Sequence, residues 1–298
     1  MAETTTEDIF FENFLKLNQT FGNSFPFRFH EAGLYSQVNM LLNAITFCLI
    51  RRRRLAVDMG LFPGDWADYF GRILPQKPDT FGRMVDMFAP RYAAVKYKNF
   101  KIVLELIFEI TEAPMTIDVP QLGLSGNLFQ VQRQLAAVFC PHPLPQTSLS
   151  EERYVSCHVR RGDKLIKEGE FNSARDYIEV ARQLAPGIKH LHVIADDYAV
   201  IEEFRHEAAG FSISTACQPD ESGYVNAKFI EQNLDVRRKE TSKLIREVAV
   251  AMRSDLFIGC YLSNLSRFVA LTHHAPEACI SVDALKHWTA VPKNRAAH

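Results

Sequence analysis

The hydrophobic and polar positions of this chain fall into blocks whose period switches between strand and helix. "FPFRFH" (25–30) has the short, aromatic-rich run of a strand. After the loop "EAGLY", "SQVNMLLNAITFCLI" (36–50) has a helical pattern, with Ser36 placed to cap it. "RRLAVD" (53–58) predicts the next strand, completing a β-loop-α-β unit. Residues 60–100 are rich in Pro, Gly and aromatics and predict no single element, and "FKIVLELIFEI" (100–110) fits helix or strand. "CPHPLPQTSLSEER" (140–153) carries three prolines and a Ser/Thr cluster, the composition of a linker.

Beyond that stretch the alternation is cleaner. Strands are predicted at 153–159, 190–195, 211–215 and 255–261, and helices at about 173–185, 198–209, 238–253 and 264–274. Alternating apolar runs and helical patterns predict an α/β protein with mainly parallel strands. The expected architecture is two Rossmann-like halves flanking a cleft, with domains at 1–148 and 149–298.

In open α/β sheets, ligands bind beyond the carboxyl ends of the strands. Three predicted strands end in chemistry-bearing residues: one in Arg160-Arg161-Gly162-Asp163-Lys164, one in Asp196-Asp197, one in Leu262-Ser263-Asn264-Leu265-Ser266-Arg267. Parallel strands bring all three to one rim. Paired arginines offer forked N–H donors suited to phosphate or carboxylate. A helix starting after Ser263 or Asn264 adds backbone N–H groups at its positive end. The rim has the makings of a diphosphate cradle. The chain has neither a Walker loop nor a G-x-G-x-x-G fingerprint, and no Asp-x-Asp pair suggests a metal. Arginines would then neutralise charge.

Each feature has a plainer reading. Paired arginines after a strand are often salt-bridged surface, and Asp196-Asp197 is a common helix cap. Arg161-Gly162-Asp163 spells an adhesion tripeptide, which needs an exposed flexible loop that a strand end does not offer. The "RRRR" run (51–54) suits a helix C-terminus as well as a targeting or nucleic-acid patch. His273-His274 lack metal-ligand companions and read as surface or helix-end residues.

Composition narrows the classes. The chain is 47% apolar and 23% charged, an ordinary globular balance, and its net charge of -1 argues against broad nucleic-acid binding. None of the six cysteines pair at C-x-x-C spacing, and they read as free thiols of a reducing compartment. The N-terminus "MAETTTEDIFFENF" lacks a basic n-region, and the apolar stretch 38–50 is too short to span a bilayer. The expectation is a soluble, cytoplasmic protein without signal peptide or anchor.

Taken together, the motifs resemble a known group. "HVRRGDK" (158–164) resembles the His-x-Arg-Arg-x-Asp signature of α1,6-fucosyltransferases, which include core N-glycan and nodulation enzymes and have protein O-fucosyltransferases as relatives. "VIADDYAVIEEF" (193–204), "LIREVAVAMRSDLFIGCYLSNLSRFVAL" (244–271) and "GLYSQVNMLLNAITFCLIRRRRLAVD" (33–58) are similar to further motifs of that group, over about half the chain and in the same order. The resemblance implies a GT-B fold and an inverting, metal-independent glycosyltransferase with no cofactor. GDP-fucose would be the donor and a glycan the acceptor. It implies that Arg160 holds the donor diphosphate, that Arg161 supports it or the loop, and that His158 touches the guanine end. Asp163 and Lys164 fall on positions needed for activity, Glu168 on the proposed base, and Tyr177 on another functional position. Asp196 and Asp197 match the paired aspartates, Ser263 the phosphate-binding serine with Arg267 four residues on, and Gly33 the glycine loop. The C-terminal domain would bind the donor and the N-terminal one the acceptor. Tyr35 stands where the family has a second glycine, and Glu247 where it has a guanine-reading aspartate. Two other readings stand beside this one: the same fold with another GDP- or UDP-sugar, and a non-catalytic nucleotide-sugar or glycan-binding module. The pairing of Arg160 with Glu168 speaks against the last, since binding alone needs no base.

Overall fold

The computed structural model describes residues 5–29, 32–60, 62–76, 101–107, 109–111, 113, 115–142, 153–162, 172–260 and 262–283. The chain divides into two compact units, Met1–Pro141 and His142–His298.

The first unit opens on helix α1 (Thr6–Thr20), which the sequence pattern had not suggested. Thr5 and Asp8 close a reciprocal capping box at its start. Strands β1 (Ser24–Arg28) and β2 (Arg54–Asp58) pair in parallel on either side of helix α2 (Leu34–Ile50). Buried Asn18 of α1 holds the outer edge of β2, accepting from the Leu55 N–H at 2.7 Å and donating to its carbonyl at 3.0 Å. The start of α2 corrects the expectation for Ser36. Gly33 occupies the N-cap, because the Gln37 N–H bonds the Gly33 carbonyl and its side-chain amide bonds the Ala32 carbonyl at 2.7 Å. The four arginines span the end of α2, the turn and the first residue of β2, with Arg52 in the left-handed region at φ 50.

Further along come helix α3 (Trp66–Phe70), helical residues 101–107 and 109–111, the antiparallel pair β3 (Ile117–Val119) and β4 (Leu124–Gly126), and helix α4 (Leu128–Phe139). Among the described residues, then, the first unit holds one parallel pair and not a Rossmann-like sheet. Among the described residues, only the bridge Val57↔Gln76 extends that pair, and Pro75, just before it, has no N–H to give a ladder.

The second unit carries a five-stranded parallel sheet: β5 (Val155–Val159), β6 (His190–Ala195), β7 (Ser212–Ser214), β8 (Leu256–Gly259) and β9 (Cys279–Ser281). Their order is β7-β6-β5-β8-β9. Around it lie helices α5 (Ala174–Leu184), α6 (Tyr198–Glu207), α7 (Asn226–Glu231), α8 (Leu234–Ala251) and α9 (Asn264–Thr272). Helix α8 begins four residues before the expected 238, because Asn233 caps it by accepting the Val236 N–H at 3.0 Å. Val155, Cys157, Val159, Leu191 and Val193 pack with Ile178, Ala181, Ile201 and Phe204 of α5 and α6 into one apolar core. The alternate residues Ser156, His158, His192 and Ser214 give the other face a polar character unusual for a buried parallel sheet. Among the described residues, no helix is long and apolar enough to cross a membrane.

Candidate functional site

The sheet order makes β5 the strand where the winding reverses. From it the chain goes out through β6 and β7, then returns to build β8 and β9 on the other side. The crevice at such a reversal, beyond the carboxyl ends of β5 and β8, is where α/β sheets take ligands. Arg160 follows β5 directly, Asp196 follows β6, and Ser263 follows β8.

The two arginines divide their work. Arg160 keeps 22% of its side chain exposed and donates from Nη1 to Asp196 Oδ2 at 2.7 Å, its guanidinium 4.7 Å from the centre of the Tyr224 ring. Arg161 is buried and bonds the Asn172 carbonyl at 2.9 Å and Glu203 at 3.1 Å. It therefore joins the end of β5 to Asn172 and to α6, and the adhesion reading of Arg161-Gly162-Asp163 loses its arginine. The aspartates divide likewise. Asp197 caps α6 by accepting the Ala199 N–H at 3.0 Å. Asp196 accepts from Arg160, from the Arg161 N–H at 2.8 Å and from the Tyr224 N–H at 3.2 Å.

Beside β8, Ser263 is the N-cap residue of α9, yet its side chain makes no capping hydrogen bond. Arg267 is exposed one turn further on. The start of α9 is locked to the strands from below. Ser266 Oγ lies 2.7 Å from His158 Nδ1 and accepts the Cys260 N–H at 3.2 Å. A Cβ on Gly259 would stand 2.5 Å from Ser266 Oγ, so glycine is what lets helix and strand approach. His158 is buried. Desolvation, with the Arg160 charge adding to it, pushes its pKa down to about 3 and keeps the ring neutral. At the same rim the Cys260 thiol donates to Asp283 at 3.0 Å, and burial with that carboxylate pushes it up to about 12, leaving an unreactive thiol.

No protein-family model and no curated protein matches this chain.

Of the remaining expected residues, some are buried within the second unit, some belong to the first unit and some lie outside the described residues. Tyr177 is buried in the core with its ring 6.2 Å from Phe204, and burial pushes its phenol well above the usual range. Glu247 is buried on α8 with Oε1 3.4 Å from His192 Nε2. Gly33 caps α2 in the first unit with open space around it, and Tyr35 is buried there. Asp163, Lys164 and Glu168 lie outside the described residues. His273, expected at a surface or helix end, ends α9 but is fully buried, between Ser254 and the Ala275 carbonyl. Among the described residues, no group of three His, Cys, Asp or Glu is placed to hold a metal ion.

Sequence reasoning missed Tyr224, Gly223 and Asp283, and named Ser266 in the third strand-end cluster without giving it a role. Only "SGY" (222–224) carried a local signal, a glycine in a loop before a helix; the others matter through tertiary contact.

Proposed function

We propose that the chain is an inverting, metal-independent glycosyltransferase of the GT-B type that moves fucose from GDP-fucose to a hydroxyl of a glycan acceptor. One observation carries the reading: a partly exposed arginine, Arg160, stands at the carboxyl end of the strand where the sheet reverses, held there by Asp196. As the bond from sugar to diphosphate breaks, the diphosphate gains negative charge, and an arginine aimed at it stabilises the transition state more than the ground state. The start of α9 after Ser263 adds aligned N–H groups beside it. By the resemblance, Glu168 would take the acceptor proton as the hydroxyl attacks from the opposite face.

A second reading keeps the reaction and changes the base. The Glu247 carboxylate, expected to accept from guanine, lies against His192 within ion-pair distance, which favours a donor whose base is recognised by other groups.

The test is nucleotide release from GDP-fucose, GDP-mannose and UDP-sugars without acceptor. Release from GDP-fucose supports the first reading, and preferential release from another donor selects the second. No release from any donor, with nucleotides still raising the melting temperature, replaces both with a binding module.

A further inference from the structure

We propose that Tyr224 is a positioning residue: with Gly162, Gly223 and Asp196 it forms a clamp that fixes the Arg160 guanidinium in place before any ligand arrives. The guanidinium carbon lies 4.7 Å from the centre of the ring, well within cation–π range. Its far end is anchored, since the phenol O–H donates to Asn226 Oδ1 at 2.9 Å. Its near end is anchored as well: the Tyr224 N–H reaches Asp196 Oδ2 at 3.2 Å, and the Gly223 N–H bonds the Asp196 carbonyl at 2.8 Å. Arg160 bonds that same carboxylate oxygen. The arginine is thus held both by the Tyr224 ring and by Asp196, and the 222–224 segment holds Asp196 in turn.

Two glycines set the spacing. Gly162 has φ +51, and a Cβ on it would stand 2.3 Å from the Tyr224 carbonyl oxygen. Gly223 has φ +95, and a Cβ there would stand 2.9 Å from the Gly162 Cα. Two backbones touch with no side chain between them, so the 222–224 segment cannot drift from the strand-end loop. A long, flexible side chain held in one rotamer loses little freedom when it meets an anion. In this scheme Asp196 acts through Arg160 and is a positioning residue too.

The kinetic arm of the test rests on the diphosphate reading of Arg160; the spectroscopic arm stands without it. In the full chain, guanidinium nitrogen signals of Arg160 are assigned by their loss in Arg160→Lys. Separate Nη signals, reporting slow rotation, are expected in the wild type and in Tyr224→Phe, and a single averaged signal in Tyr224→Leu. Separate signals that persist in Tyr224→Leu, or averaged signals in the wild type, overturn the clamp. In nucleotide release, Tyr224→Leu is expected to lower kcat by about tenfold or more, with the donor KM changed by less than about threefold and Tyr224→Phe close to wild type. Equal kcat in all three overturns the positioning role. If the wild type releases no nucleotide, the transferase reading falls and the nitrogen signals still decide the clamp. Should Tyr224→Leu fail to fold, Asp196→Asn, which keeps the side-chain shape and weakens the hold on Arg160, is expected to speed Arg160 rotation; unchanged rotation there counts against the proposal.

Discussion

At the scale of single residues, Gly162 and His158 make the firmest predictions. An alanine at 162 would adopt a left-handed backbone, which costs roughly 1–2 kcal/mol, and would press against the Tyr224 carbonyl. Gly162→Ala is therefore expected to lower the melting temperature by at least about 3 °C; an unchanged melt would mean that the two loops separate freely. His158 is held down to about 3 from the usual 6.5 by burial, with Arg160 adding to it. Between those values the unfolded chain takes up a proton that the folded chain refuses. Stability from this residue is thus complete above 6.5 and is lost as pH falls toward 3, by at most about 1.4 kcal/mol per pH unit. Urea midpoints across that range are expected to fall less steeply in His158→Asn, whose amide can keep the Ser266 contact; parallel slopes would assign the acid sensitivity elsewhere. Arg160 was visible in the sequence because charge following an apolar run stands out. Its partner Tyr224 was not, because 64 positions separate the two and only the packing of two loops brings them together.

Among elements, one hydroxyl links α9 both to β5 and to the end of β8. Ser266→Ala leaves the buried His158 Nδ1 and the Cys260 N–H without that partner, and is expected to cost about 1–3 kcal/mol in urea unfolding. A loss below about 0.5 kcal/mol would show that α9 is held by its apolar face alone. The strands of the second unit were readable as short apolar runs, and β6 has the expected bounds at His190–Ala195. Helix α8 was harder to read. Its first turns, Leu234 to Lys239, are almost wholly exposed and so carry no apolar stripe; only the Asn233 cap marks the start. Helix α1 was passed over for a different reason. Its acidic N-terminal sequence was read for targeting, while the T-x-x-D box that starts it went unused.

The molecule as a whole is unevenly legible. The α/β class followed from alternating periods, and a parallel sheet with the β5 reversal is what the second half forms. The first half followed the pattern only through β2, because past it prolines, glycines and aromatics replace periodicity. The second unit has its own sheet and its own apolar core. A fragment covering His142–His298 is therefore expected to melt cooperatively by itself; a broad, featureless melt would make its core dependent on the rest of the chain.

The sheet of that unit also tapers. Its inner strands run five, six and four residues, while β7 and β9 at the margins run three each. Each margin thus exposes too few unpaired backbone groups to template a further strand. The same taper that concentrates pairing around β5 leaves this sheet with short edges, the form least suited to seeding fibril growth.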